Sequence, residues 1–144
     1  MKSHSGGVTS FGLGVTNTKC NKQKLNTKSS TEAEVVGASD YIGHTIWTSG
    51  FIKEQGYPIK CKLFYQDNMS AIQLQKNGKL SSSDKSRHMN IRFFLKDIIS
   101  RESIEIKHCP TDEMLADFFT KPLQGKLFKK LRDKIMGLTY VENK

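Results

Sequence analysis

The alternation of apolar and polar positions in the first part of the chain predicts a strand pair followed by a long helix. Residues 6–16 are rich in Gly, Val, Phe and Thr, which favours a strand, and the polar, basic stretch 18–28 suits an exposed hairpin partner. Ser29-x-x-Glu32 and Thr31-x-x-Glu34 both have the spacing of a capping box, so a helix should begin at 29–31. Four apolar residues then recur at helical intervals: Val35, Ala38, Ile42 and Ile46.

The rest of the chain continues this pattern. Gly56 and Pro58 end the long helix, residues 59–66 read as a buried strand, and residues 68–76 as a short helix. After a Ser-rich linker at 79–83, four further elements are predicted. They are an amphipathic helix opening at Asp84 or Ser86, a strand at 104–107, a helix capped by Thr111 that carries Asp117 in its middle, and a basic helix at 124–136 ended by Gly137.

The predicted order is therefore β-β-α-β-α-α-β-α-α. Alternation of this kind favours an α/β fold, in which a mixed sheet carries helices on its faces. A chain of 144 residues is long enough for one domain with a real core.

Composition narrows the class of protein. The chain has no apolar run long enough for a membrane helix and no apolar signal-peptide core at its N-terminus. Three widely spaced cysteines argue against a disulfide framework and against a zinc site, and they fit a reducing compartment. The formal net charge of +9 favours a polyanionic partner, nucleic acid first and an anionic membrane second. A solvated basic surface without a partner is the remaining alternative.

Three carboxylates occur where a helix begins or a strand ends, and each has an ordinary explanation beside a functional one. Glu34 could be a helix-start cap, and Asp67, directly after the buried strand, could be an Asx turn or an N-cap. Asp117 lies among apolar residues and needs a compensating partner, either a metal ion or a Lys or Arg side chain. If the three converge, they form a site for a divalent cation.

The sequence segments around these residues resemble motifs of one protein family. The segments SSTEAE (29–34), QDNMSAI (66–72), SRHMNIRFF (86–94) and LADFFTKPL (115–123) are similar, in order and spacing, to four blocks of the ribonuclease H domain of copia-type LTR retrotransposon Pol polyproteins. The resemblance runs from about residue 3 to residue 138 and implies a ribonuclease H-like mixed sheet. It assigns 1–123 to that domain, N-terminally truncated, and 124–144 to a basic C-terminal helix and tail.

The resemblance also implies a site and an activity. By motif position, Glu34, Asp67 and Asp117 would be catalytic and metal-ligating, and Glu32 would be the capping acid. The expected cofactor is Mg²⁺, with Mn²⁺ possible, because hard cations prefer carboxylate oxygens. Two such ions about 4 Å apart can activate water and stabilise the departing 3′ oxygen. The expected substrate is the RNA strand of an RNA/DNA hybrid, with Asn68, Lys85, Arg87 and Arg92 as candidate nucleic-acid contacts; a turn or cap and a solvated helix face are their alternatives.

The family's first strand and its aspartate have no counterpart, because the first acidic residue of this sequence is Glu32. In the resembled fold that strand lies in the middle of the sheet, so two unpaired strand edges are expected. We expect weakened metal affinity and impaired turnover, in a fragment of a longer polyprotein or a decayed gene. The expected partner is the reverse transcriptase domain of the same polyprotein, and the expected location is the cytoplasm or a virus-like particle, without a membrane. The alternative function is a catalytically inactive nucleic-acid-binding or tethering module.

Overall fold

The computed structural model describes residues 3–77 and 89–138. The elements in chain order are β1 (His4–Thr9), β2 (Asn17–Lys22), α1 (Ser30–Glu54), β3 (Lys62–Gln66), α2 (Met69–Asn77), α3 (Met89–Arg101), β4 (Ile104–His108), a 3₁₀ turn (Thr111–Glu113), α4 (Asp117–Thr120) and α5 (Gly125–Ile135). The predicted order of strands and helices is confirmed. The predicted linker at 79–83 and the predicted helix start at Asp84 or Ser86 lie outside the described residues.

The strands form two separate two-stranded sheets. β1 pairs with β2 in antiparallel fashion, from His4 opposite Lys22 to Thr9 opposite Asn17. β3 pairs with β4 in parallel, with Lys62 opposite Ile104. The mixed α/β class is confirmed, and in the described residues the division into two small sheets agrees with the two unpaired strand edges expected from the sequence. No described strand lies between the two pairs, so β1 and β3 each keep one edge without a strand partner.

The first strand is shorter than predicted, because the chain turns early. β1 ends at Thr9, and Gly12 and Gly14 adopt positive φ angles of 126° and 71° in the connection to β2. Such angles are readily available only to glycine. The glycines that suggested a longer strand therefore form the hairpin turn.

The core lies between α1, α2, α3 and the β3–β4 pair. Its buried members are Val35, Ala38, Ile42, Ala71, Leu74, Leu95, Ile98 and Ile104, with Ile46 packed against them. The predicted apolar positions of α1 are thus all core positions. On another side of α1, the Tyr41 ring lies so close to Gly7 that a Cβ there would be 2.2 Å from Cδ2. α1 therefore joins the two strand pairs.

The segment after β4 differs from its prediction. Instead of one helix from Thr111, the chain forms the 3₁₀ turn, passes through Met114 in extended conformation (φ −72°, ψ 101°) and starts α4 at Asp117. Thr111 makes no N-cap, because the residue before the turn is Pro110 and no side chain caps it. Asp117 is therefore the first residue of a short helix rather than the middle of a long one.

α5 ends as predicted and packs onto the preceding elements. Gly137 has φ 69°, and the N–H groups of Gly137 and Leu138 donate to the carbonyls of Lys134 and Asp133, which closes the helix as a Schellman motif. The rings of Phe118 and Phe128 lie 5.1 Å apart between α4 and α5. The boundary between residues 123 and 124 stays a prediction. No helix in the described part of the chain is long and apolar enough to span a membrane.

Candidate metal centre

Glu34 lies in the second turn of α1, whose start is fixed by two other side chains. Ser29 is the N-cap, and its Oγ accepts a hydrogen bond from the Glu32 backbone N–H at 3.1 Å. The Glu32 carboxylate accepts one from the Lys28 backbone N–H at 2.8 Å. Glu32 is thus the capping acid, as predicted. Glu34 is left to line an open cavity.

Asp67 follows the last residue of β3, as the sequence predicts, and its neighbours fix the loop. The Gln66 side-chain oxygen accepts a hydrogen bond from the Asp67 backbone N–H at 3.0 Å. The Asn68 side-chain oxygen accepts from the Ala71 N–H at 3.1 Å, which caps α2. The Asn68 amide also reaches Thr31 Oγ1 at 3.4 Å, so this loop is tied to the start of α1.

Asp117 is buried at the start of α4, with only 8% of its surface exposed. Its Oδ2 accepts a hydrogen bond from Lys121 Nζ at 2.7 Å. A buried carboxylate needs such compensation, and the N-terminus of a helix adds a little more. Of the two partners considered for Asp117 from the sequence, the structure shows the lysine.

The three carboxylates come within electrostatic range of one another. The pKa of Glu34 is raised, first because burial disfavours its charged form and then because Asp67 and Asp117 repel it. Lys121 and a hydrogen bond from Gln66 act in the opposite direction. Residues from α1, the end of β3 and α4, far apart in sequence, therefore share one electrostatic environment.

Lys121 responds to the same group of carboxylates. Burial acts to lower the pKa of its ammonium group, but the hydrogen bond and charge of Asp117 outweigh it, and the net pKa is raised. Asp67 and Glu34 add to this increase. Lys121 thus brings a positive charge within range of all three carboxylates.

Sequence reasoning missed two residues of this site. Gln66, 5% exposed, lies at the end of β3, and its side chain forms a hydrogen bond with Glu34. Its backbone carbonyl oxygen accepts a hydrogen bond from the Cys109 N–H at 2.9 Å. The neighbouring sequence does not indicate this role, because the role depends on a contact with α1. Lys121 could have been found, because it follows Asp117 at the i,i+4 spacing of a helical ion pair.

The cavity has a volume of about 510 Å³ and is lined by Ser30, Glu34, Asp67, Asn68, Met69 and Lys121. Carboxylate oxygens are the donors that Mg²⁺ prefers, so the donor type fits that ion. Among the described residues, however, no group of three or more His, Cys, Asp or Glu side chains is placed to hold a metal ion. The acids are near enough to repel one another but are not gathered at ligating distances, and Asp117 is paired with Lys121.

The predicted nucleic-acid contacts fall in different environments. Asn68 lines the cavity while capping α2. Arg92 is buried, with 4% of its surface exposed, and it interacts within the protein. Lys85 and Arg87 lie outside the described residues. Contact with nucleic acid stays a prediction for all four.

Comparison with known proteins places the chain among polyproteins of plant transposons. It is 29% identical over 133 residues, 92% of its length, to the retrovirus-related Pol polyprotein from transposon TNT 1-94 of Nicotiana tabacum. It is 30% identical over 122 residues to the corresponding polyprotein from transposon RE1 of Arabidopsis thaliana, and 28% identical over 116 residues to that from transposon RE2. These alignments cover 83% and 79% of the chain.

The chain spans only 10% of the tobacco polyprotein and 8% of each Arabidopsis polyprotein. No protein-family model matches the chain, and no solved structure matches it significantly. The identities nevertheless extend over most of the chain in all three relatives. The chain therefore belongs with the retrovirus-related Pol polyproteins of copia-type transposons, a short segment of which it matches.

Proposed function

We propose that the cavity beside Glu34, Asp67 and Asp117 is a ribonuclease H-type centre that hydrolyses the RNA strand of RNA/DNA hybrids during reverse transcription of a retroelement. The observation that carries the proposal is that Glu34 of α1 and Asp67 after β3 line one cavity, with Asp117 of α4 near enough to act on the charge of Glu34. The similarity to transposon Pol polyproteins supports a retroelement role.

The residues of the chain divide the work of the site. Glu34 and Asp67 line the cavity and would hold a divalent cation through their oxygens, with Asp117 joining them from α4. When bound, Mg²⁺ or Mn²⁺ supplies an activated water and neutralises the charge that develops on the departing 3′ oxygen. Gln66 orients Glu34, and Asn68 holds the loop that carries Asp67 against α1.

The charge of the chain fits the substrate. A net charge of +9 attracts a nucleic-acid backbone, and binding of this kind weakens as salt concentration rises. Selection of a hybrid over duplex DNA would come from the 2′-hydroxyl groups of the RNA strand and its A-like shape. By the resemblance, a fourth carboxylate completes the site, so this chain alone should cleave slowly.

A second candidate function is hybrid binding without cleavage. The observation that favours it is the ion pair between Asp117 and Lys121, which occupies one of the three carboxylates. In that case the chain holds a hybrid beside a reverse transcriptase domain and takes no part in hydrolysis.

One assay separates the two functions. End-labelled RNA/DNA hybrid, duplex DNA and duplex RNA of one sequence are incubated with the chain in Mg²⁺, Mn²⁺ or EDTA, and both binding and cleavage are measured. Asp67→Asn is compared with Asp97→Asn, which removes the same charge from an exposed position on α3.

For the nuclease, Mg²⁺ or Mn²⁺ tightens hybrid binding and permits slow cleavage of the RNA strand, and only Asp67→Asn abolishes both effects. Hybrid binding that ignores the metal, with no cleavage by any variant, supports the binding module instead. Equal affinity for all three nucleic acids without cleavage contradicts both functions. Rapid Mg²⁺-dependent cleavage by this chain would contradict the expected impairment.

A further inference from the structure

The ammonium group of Lys121 lies among the three carboxylates of the candidate site. Its Nζ is 2.7 Å from Asp117 Oδ2, and it also attracts Asp67 and Glu34. The two partners of the ion pair differ in exposure, since 49% of the Lys121 side chain is accessible to solvent and only 11% of the Asp117 side chain is. The carboxylate is thus fixed in the fold, whereas the lysine reaches it from the rim of the cavity.

Electrostatics explains why a cation is needed there. Partly buried carboxylates within range of one another repel, and Asp67 and Asp117 both act against the negative charge of Glu34. A single ammonium relieves part of it. A divalent cation carries twice the charge and would relieve more, but it would compete for the same Asp117 oxygen.

Lys121 has the mobility to give way. Its four-carbon stem is flexible, and an ammonium that returns to water at the rim of a cavity regains its hydration. Asp117 has no comparable freedom, because it begins α4 and Thr120 of that helix packs on Gly6. Release of Asp117 from its ion pair therefore needs movement of the lysine side chain rather than of α4.

We propose that Lys121 is a tethered counterion that holds Asp117 while no divalent cation is bound, and that a divalent cation must displace it. Lys121 thereby stabilises the metal-free protein and sets how tightly the metal binds. The inference rests on the proposed function, because it presumes that a divalent cation binds at this cavity. Lys121 acts through Asp117 and is a positioning residue rather than a catalytic one.

The proposal gives one substitution two opposite effects. Lys121→Met removes the charge and keeps an apolar stem of similar length. In EDTA it should lower the melting temperature, because the carboxylates lose their counterion. In a Mn²⁺ titration it should tighten binding about tenfold, the order expected when a unit charge is removed from a few ångströms away. A lysine with a merely structural role would lower stability and leave metal affinity unchanged or weaker.

The test is a Mn²⁺ titration of the full chain, followed by calorimetry and by the melting temperature, without any nucleic acid. Lys121→Arg keeps the charge and should remain near the wild type in both measurements. Lys129→Met removes a lysine from an exposed position on α5 and controls for net charge. Should Lys121→Met fail to fold, Lys121→Gln removes the same charge while retaining a hydrogen-bond donor, and the same two effects are expected from it.

The outcomes distinguish this inference from the function on which it rests. Equal Mn²⁺ affinity in the wild type and in Lys121→Met would contradict the role of Lys121 as a counterion but not the proposed metal centre. Tighter binding in Lys129→Met as well reduces the effect to net charge and also overturns it. If neither the wild type nor any Lys121 variant binds Mn²⁺, both the proposed metal centre and the counterion role of Lys121 are contradicted.

Discussion

Gly6 of β1 lies directly against the backbone of Ala116, the residue before Asp117. A Cβ carbon on Gly6 would lie 2.9 Å from the Ala116 carbonyl oxygen and 2.6 Å from Cγ2 of Thr120. Contacts this short do not occur for real Cβ atoms, so the close approach of strand and helix requires glycine. This contact places α4, and with it Asp117, on the β1–β2 pair.

Gly6→Ala should therefore destabilise the fold and disturb the site together. Overpacking of a close contact costs about 1–3 kcal/mol, and the backbone of Ala116 has to move to relieve it. Because Asp117 follows Ala116, its distance from the other carboxylates changes as well. We expect a lower free energy of unfolding in denaturant titrations and a smaller rise in melting temperature on addition of Mn²⁺.

Gly43→Ala is the matched control for this substitution. Gly43 is an exposed residue of α1, and a Cβ there meets nothing within 4 Å. Alanine is the better helix former by about 0.5–1 kcal/mol, so this variant should be more stable than the wild type. Equal stability of Gly6→Ala and the wild type would show that α4 does not depend on this contact.

Substitutions at the start of α1 should separate effects on stability from effects on metal binding. Ser29→Ala removes the side-chain acceptor of the α1 N-cap and should cost about 1 kcal/mol without changing the response to Mn²⁺. Glu32→Gln should cost less, because the amide oxygen can still accept the hydrogen bond from the Lys28 N–H, and it should also leave the Mn²⁺ response unchanged. Glu34→Gln should instead reduce the Mn²⁺ response. Thermal melts with and without Mn²⁺ compare all three, and loss of the response in Glu32→Gln would reverse the assignment.

The elements that the sequence predicts well are those with signals inside a few residues. The capping residues Ser29 and Glu32 fix the start of α1, and Gly137 fixes the end of α5. The core positions of α1 follow from helical spacing alone. Asp67 could be placed because a strand end and a helix start meet beside it.

The features that depend on distant contacts were not predictable in this way. The sequence favours one helix from Thr111 through Asp117, but Met114 is extended and interrupts it. α4 then packs on β1 at Gly6. Tertiary packing overrides local propensity there. The two unpaired strand edges were expected from the resemblance rather than from any single element, because strand pairing depends on which strands are neighbours in the fold.

The ion pairs of Glu113 with Lys130 and Lys134 should stabilise the packing of the 3₁₀ turn against α5, and this stabilisation should depend on salt and pH. Its pKa is lowered by hydrogen bonds from Lys130 and Lys134, so its contribution to stability is present above its ordinary value of 4.5 and is lost as the pH falls through the lowered pKa. All three side chains are partly exposed, and the effect should be small.

Glu113→Gln should lower the melting temperature slightly at pH 7 and low salt, and the difference should vanish in high salt. Glu105→Gln, beside Lys107 on β4, is the control. A difference that persists in high salt would mean that packing, not charge, holds the turn.

Glu34 has the opposite linkage to pH. Because its pKa in the folded protein is raised above the ordinary value of 4.5, its contribution to stability is fully present below that pH. The contribution is then lost as the pH rises through the raised pKa, where the fold must accept a charge that burial and two neighbouring aspartates disfavour. Without metal, ionised Glu34 therefore lowers the stability of the protein at neutral pH.

Glu34→Gln removes that charge and keeps the shape of the side chain. In EDTA, the variant should gain in stability over the wild type as the pH rises from 4 to 7, and the two should converge at the acid end. With saturating Mn²⁺ at pH 7 the order should reverse, because the metal stabilises only a protein that binds it. Free energies of unfolding from denaturant titrations at several pH values, with and without Mn²⁺, measure both effects. A wild type that stays more stable than Glu34→Gln in EDTA at every pH would show that the hydrogen bond from Gln66 outweighs the repulsion by Asp67 and Asp117.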